Sequence, residues 1–180
     1  MVKILGLDIS SSTIGWATLL CSKDSVILDN YGFIKPPASK KGSLAYRASE
    51  ASGAVSELID RENPEIVAIE AYANKFPSGR STARTIIVLS VFNEVISIAA
   101  LKKMGVDPFR YPVVTIRSQI SKFSGKKISS KEECFDYIIE RFDNFNFRKN
   151  RAGNIAKELY DEADAIAVAL TCFIKEGIGD

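Results

Sequence analysis

Four acidic residues stand where a carboxylate is costly unless something answers its charge. Asp161 and Asp164 open the apolar run "YDEADAIAVAL" at 160–170, Asp8 closes the apolar run "VKILGLDI", and Glu70 closes "EIVAIE". Buried carboxylates need a partner, and crowded ones repel one another and cannot all ionise without a counter-charge. A pair of divalent cations supplies it, and oxygen-only ligands select Mg²⁺ or Mn²⁺. Two such ions about 4 Å apart activate a water and hold the leaving oxygen of a phosphodiester. That chemistry needs no imidazole, and the chain has no His. The usual general base, every His-based triad and the commonest metal ligand are therefore excluded. Taken singly, an Asp at a strand end is a turn former, and an acid near a helix start answers the helix dipole. The joint pattern is what points to a metal site.

The elements around these residues decide whether they meet. "VKILGLDI", "TIGWATLL" and "SVILDNYGFI" read as three short strands in an antiparallel meander. "PPASKKG" is a loop. "SLAYRASEASGAVSELIDREN" carries Leu44, Ala48, Ala51, Val55, Leu58 and Ile59 at helical spacing. "EIVAIEAY" is a fourth, buried strand. After the loop "NKFPSGRST" comes a long apolar helix over about 85–101, with Gly105 as its C-terminal cap. "YPVVTI" reads as a fifth strand, "SKFSGKKISS" as a loop and "SSKEECFDYIIERF" as an amphipathic helix. "DNFNFRKNRAGN" is a further loop, and a last helix runs from about Ile155 to Ile174.

A meander joined to parallel strands through helical crossovers gives a mixed five-stranded α/β sheet with helices on both faces. Asp8 and Glu70 then lie at the carboxyl ends of neighbouring parallel strands, where ligands collect in such sheets. Asp161 and Asp164 sit about 60° apart on one helical face. Glu162 falls roughly 160° from Asp164 and is assigned to solvent. Glu158, one turn before Asp161, is a weaker further acid.

The 180 residues suffice for one domain, 1–180, and 46% hydrophobic with 26% charged content is that of a soluble globular protein. A net charge of +2 gives no global field, so any basic surface is local. Cys21, Cys134 and Cys172 are scattered and odd in number, which argues against a disulfide framework or zinc site and for a reducing compartment. The N-terminus is not a signal peptide. "TIIVLSVFNEVISIAAL" is interrupted by Asn93 and Glu94 and falls short of a span, so it reads as a buried helix rather than a membrane one. The expected setting is cytoplasmic.

Basic residues cluster in three places. Arg117, Lys122, Lys126, Lys127 and Lys131 run without an intervening acid, Lys75, Arg80 and Arg84 follow Glu70, and Arg148, Lys149 and Arg151 precede the last helix. Loop cations are commonly just solvated. Here all three clusters fall beside the proposed metal site, where they suit a phosphate backbone. Ser129 and Glu132 form a capping-box pattern, which puts Lys131 in a first helical turn. A cation there opposes the dipole, and a nearby phosphate would explain it.

"ILGLDISSSTIGWATL", "IVAIEAYANKF" and "DEADAIAVAL", in this order and spacing, resemble the RuvC-type Holliday-junction resolvases of the RNase H-like nuclease superfamily. The resemblance runs from Ile4 to Phe173 and includes Arg47. It implies an RNase H-like fold and a homodimeric, Mg²⁺-dependent endonuclease that nicks two opposed strands of a four-way DNA junction. The family's acids fall on Asp8, Glu70, Asp161 and Asp164, and it leads one to expect basic residues near Lys131 and Arg117. Ile9-Ser10 stands where the family usually has Pro-Gly. Ala73 stands where it often has an aromatic, with Tyr72 and Phe76 the nearest substitutes. These departures bear on junction handling and suit a divergent or viral member, acting in a bacterial cell or an infected host cell. The residues also admit two other readings: an RNase H-like nuclease for other branched DNA, RNA or RNA–DNA hybrids, and an actin- or sugar-kinase-like ATPase. The last needs a second lobe that this length does not provide.

Overall fold

Strand β1 (Val2–Ile9) is the axis of the molecule because it is apolar on both faces, with Ile4, Leu5 and Leu7 fully buried. The computed structural model describes residues 1–72, 83–149 and 153–178. β1 pairs antiparallel with β2 (Ile14–Ser22), which pairs antiparallel with β3 (Ser25–Ile34). On its other side β1 pairs parallel with β4 (Ile66–Ala71), and β4 pairs parallel with β5 (Phe109–Pro112). The order is β3-β2-β1-β4-β5, a mixed five-stranded sheet.

Helices cover both faces. Leu5, Leu7, Ile9, Val67 and Ile69 pack against α1 (Leu44–Glu62) and α2 (Ala83–Met104). Ile4, Ala17, Leu19 and Ala68 face the other way, into a core built with α3 (Val113–Ser124), α4 (Lys131–Arg141) and α5 (Lys157–Glu176). Because successive side chains alternate, Asp8 and Glu70 fall on this second face, in line with Ile4 and Ala68.

Glycines set how close α5 comes. A Cβ on Gly6 would lie 2.2 Å from the Ala165 carbonyl oxygen, and one on Gly15 would lie 2.0 Å from that of Asp161. Any side chain at either position would push α5 off the sheet. Gly15 is the register partner of Asp8, so the same close approach brings the α5 acids to the end of β1.

The structure corrects several sequence expectations. "YPVVTI" is not a strand: β5 ends at Pro112 and Val113–Ser124 is helix α3. The β-branched run suggested a strand, but Ile116 and Ile120 bury one helical face against α5, and packing outweighs propensity. Part of the expected loop "SKFSGKKISS" accordingly belongs to α3, which ends at Gly125 with φ of 68°. The capping box is shifted by one residue, with Ser130 as N-cap and Glu133 as its partner, and Lys131 remains in the first turn. The reading of α2 as a buried helix holds for one face only. Phe92, Ile96 and Ala100 are buried, whereas Ile87 is 56% and Ile98 49% exposed. α2 is long and apolar enough to cross a membrane, and its inner face packs on the sheet and α1.

Candidate active site

Asp8, Glu70 and Asp164 line one pocket of about 260 Å³ with Lys131, Arg117, Val113, Ile116 and Cys134. The acids come from the end of β1, the end of β4 and the third turn of α5; the cations come from α3 and the first turn of α4. Asp161 stands beside it. The Lys131 ammonium lies 2.6 Å from Asp164 Oδ2 and 3.8 Å from Asp161 Oδ1, and 5.8 Å over the Tyr160 ring.

The electrostatics are those of charges forced together. Burial holds the Asp8 carboxyl well above its ordinary range, reinforced by Glu70, Asp164 and Asp161. Burial and Asp164 push Glu70 up to about 7, against the opposing pull of Lys131 and Arg117. Asp164 and Asp161 are raised by burial too, each partly offset by Lys131. Burial alone would lower Lys131, but Asp164, Asp8 and Asp161 outweigh it and hold the ammonium above its usual value. Among the described residues, no three carboxylates or thiols converge closely enough as they stand to hold an ion. The oxygen-only donor set and its mutual repulsion nevertheless fit a hard divalent cation.

Second contacts fix the placement. Asn93, the polar break in apolar α2, donates from Nδ2 to the Glu70 carbonyl oxygen at 2.9 Å. The Glu94 carboxylate accepts from Nη1 and Nη2 of Arg110, at 2.6 and 3.1 Å. Arg117 donates from Nη1 to the Ser129 carbonyl oxygen at 3.1 Å, tying α3 to the start of α4. Cys134 is buried and its thiol is pushed up to about 12, chiefly by burial, so it lines the pocket as a neutral wall. Neither Cys134 nor the two glycines was legible as part of the site; the glycines are visible only as residue types, and their role depends on α5.

Glu162 is not solvated. It is fully buried, pairs with Arg148, and its Oε1 has no hydrogen-bond partner among the described residues. The helical wheel placed it correctly away from Asp164, but that face of α5 also meets protein. Glu158 is drawn off by Lys35 at 2.6 Å and takes no part in the pocket.

The basic residues do not all lie in loops. Arg84 is on α2, Arg117 and Lys122 on α3, and Lys131 on α4. Lys126 pairs with Glu140 at 2.6 Å, and Arg148 with Glu162. Lys127 and Lys149 are exposed, and Tyr72 is half-buried just beyond β4. Lys75, Phe76, Arg80 and Arg151 lie outside the described residues.

No protein-family model matches the chain. It is 29% identical over 176 residues to the crossover junction endodeoxyribonuclease RuvC of Prochlorococcus marinus, covering 98% of this chain and 99% of that one. The RuvC of Campylobacter jejuni is 27% identical over 172 residues, covering 94% of each. Among solved structures, Thermus thermophilus RuvC in complex with a Holliday junction substrate superposes with a TM-score of 0.71 at 17% identity, over 98% of this chain and 97% of that one. The yeast mitochondrial Holliday junction resolvase Ydc2 gives 0.63 at 16% identity, over 93% and 76%. In sequence along nearly its whole length this chain is similar to RuvC-type Holliday-junction resolvases, and its fold is the RNase H-like α/β fold of those structures.

Proposed function

We propose that this protein is a metal-dependent, structure-selective endonuclease that resolves four-way DNA junctions by paired nicks, with the whole chain acting as one nuclease unit. The observation that carries the reading is the pocket in which Asp8, Glu70 and Asp164 meet Lys131 and Arg117. Asp8, Glu70, Asp161 and Asp164 would hold two Mg²⁺ ions, with Mn²⁺ an acceptable substitute. When bound, such ions supply an activated water and a stabilised leaving oxygen.

The chain's own residues do the rest. The carboxylates bring fixed negative charge to one point. Lys131 pairs with Asp164 and lies near Asp161; with another cation answering those carboxylates, its ammonium would be available to the scissile phosphate. Arg117 faces the same pocket from α3. Negative charge building on the phosphate is met by these two cations in a half-enclosed site, where electrostatic stabilisation is strongest.

Two sites are needed for two opposed strands. α2 supports a twofold assembly: Ile87, Ile98 and Leu101 are exposed along it, and an isologous pairing would cover them. The aromatics Tyr72 and Phe76 and the remaining basic residues, Lys75, Arg80, Arg84, Lys122, Lys126, Lys127, Arg148, Lys149 and Arg151, are assigned to DNA contact. Arg148 and Lys126 must leave their acidic partners to make it.

The deciding experiment incubates labelled four-way junction, duplex, flap and RNA–DNA hybrid with the protein, with and without Mg²⁺. Symmetric paired nicks in the junction alone, only with the metal, are expected. Preferential cutting of the hybrid or the flap would replace this reading with that of a broader RNase H-like nuclease.

A further inference from the structure

A groove of about 630 Å³ lies at the same end of the sheet as the acids, on the other side of the β1–β2 turn. Its walls are the turn residues Ser11 and Ser12, the β3–α1 connection with Lys35 and Ser39, and Arg84 at the start of α2. Among the described residues no carboxylate lines it. Ser39 begins a short 3₁₀ turn that adds exposed Lys40 and Lys41. Lys40, Lys41 and Arg84 form no ion pair among the described residues, whereas Lys35 is held by Glu158.

The floor is rigid. Buried Arg47 donates from Nε to the Pro37 carbonyl oxygen at 2.6 Å and from Nη2 to that of Ser11 at 2.7 Å, with its guanidinium 5.4 Å over the Phe92 ring. It thereby staples the turn, the connection and α2 together. The turn is closed on itself: Ser10 Oγ donates to the Thr13 carbonyl oxygen at 2.7 Å and accepts from the Thr13 N–H at 3.0 Å. Hydroxyls on a fixed frame, with Lys40, Lys41 and Arg84 free of ion pairs among the described residues, suit a polyanion.

Ser11 stands three positions after Asp8, a reach of roughly 10 Å at most. DNA advances about 3.4 Å per nucleotide along each strand. We propose that this groove binds the sugar-phosphate backbone of the junction arm being cut, about three nucleotides from the scissile phosphate. This rests on the nuclease reading and adds a surface that the sequence showed only as the loop "PPASKKG".

The test uses the full-length protein carrying Asp8→Asn, so that binding is read without cleavage. Adding Lys40→Ala, Lys41→Ala and Arg84→Ala should weaken junction binding at least tenfold at moderate salt. The slope of log affinity against log salt should flatten by about two to three, near 0.9 per lost phosphate contact. In the background with Asp8 intact, Lys40→Ala with Lys41→Ala alone should leave single-turnover cleavage at saturating junction within about threefold. A methylphosphonate scan along the cut strand, made on the Asp8→Asn protein with the groove intact, should show its largest loss of binding two to four nucleotides from the nick. Unchanged affinity and slope, or no such methylphosphonate effect, overturns the groove while leaving the nuclease reading in place. Loss of the wild-type oligomeric state in the triple variant also overturns it, since the groove would then be a protein–protein contact. Absence of junction cleavage by wild type with any divalent cation defeats the nuclease reading itself, whatever the groove binds.

Discussion

Replacing Glu70 by Gln should make the metal-free protein more stable, and the gain should depend on pH. Burial and Asp164 raise the Glu70 carboxyl from 4.5 to about 7. At 1.36 kcal/mol per unit that corresponds to roughly 3 kcal/mol. Glu70 is half-buried at the pocket mouth, and solvent screening reduces the figure to about 1–2 kcal/mol. The folded state holds its proton more tightly than the unfolded one, so folding stability falls as pH rises. The Glu70 contribution is fully present below about 4.5 and lost through about 7. Gln cannot ionise and escapes this loss. Chemical denaturation in chelator across pH 4.5–8.5 should find Glu70→Gln and wild type equal at the acid end. At the alkaline end the variant should lead by about 1–2 kcal/mol, or several degrees in Tm for a chain of this size. Mg²⁺ should reverse the order, because only the intact carboxylate set gains from binding. A variant less stable than wild type at pH 8 in chelator would show that Glu70 is structural, and the argument from crowded charge would be lost.

Asp8→Asn, Asp161→Asn and Asp164→Asn should each abolish metal-dependent nicking while junction affinity, measured by gel shift, stays level or tightens, since negative charge facing phosphate is removed. Lys131→Ala should lower the single-turnover rate about a hundredfold, near 3 kcal/mol, with little loss of affinity, and Arg117→Ala should do so less severely. Arg148→Ala should destabilise the fold more than Glu162→Gln does, because it strands a fully buried carboxylate; urea denaturation at neutral pH compares them. Gly15→Ala should displace α5 and remove cleavage while the sheet persists by circular dichroism, since its Cβ would meet the Asp161 carbonyl oxygen.

The sequence by itself determined the meander, the strands ending in Asp8 and Glu70, the long helices and the shared face of Asp161 and Asp164. These are local: alternation and helical periodicity are written in consecutive residues. The four acids were legible as a set because carboxylates opening or closing apolar runs are conspicuous. Only the tertiary structure decided the rest. Val113 to Ile116 became helix because Ile116 and Ile120 found a core to enter, which no window of sequence contains. Glu162 was read as solvated because a wheel gives direction along one helix and not what lies opposite; the Arg148 that meets it comes from another segment of the chain. Gly6 and Gly15 matter through atoms on α5 that lie about 150 residues away in sequence. Lys131 was placed in its helical turn by local capping, but its seat between Asp161 and Asp164 follows from how α4 packs on α5. The chemistry available was set by residue type and spacing. Which charges meet, and at what distance, was set by the long-range packing of helices on the sheet.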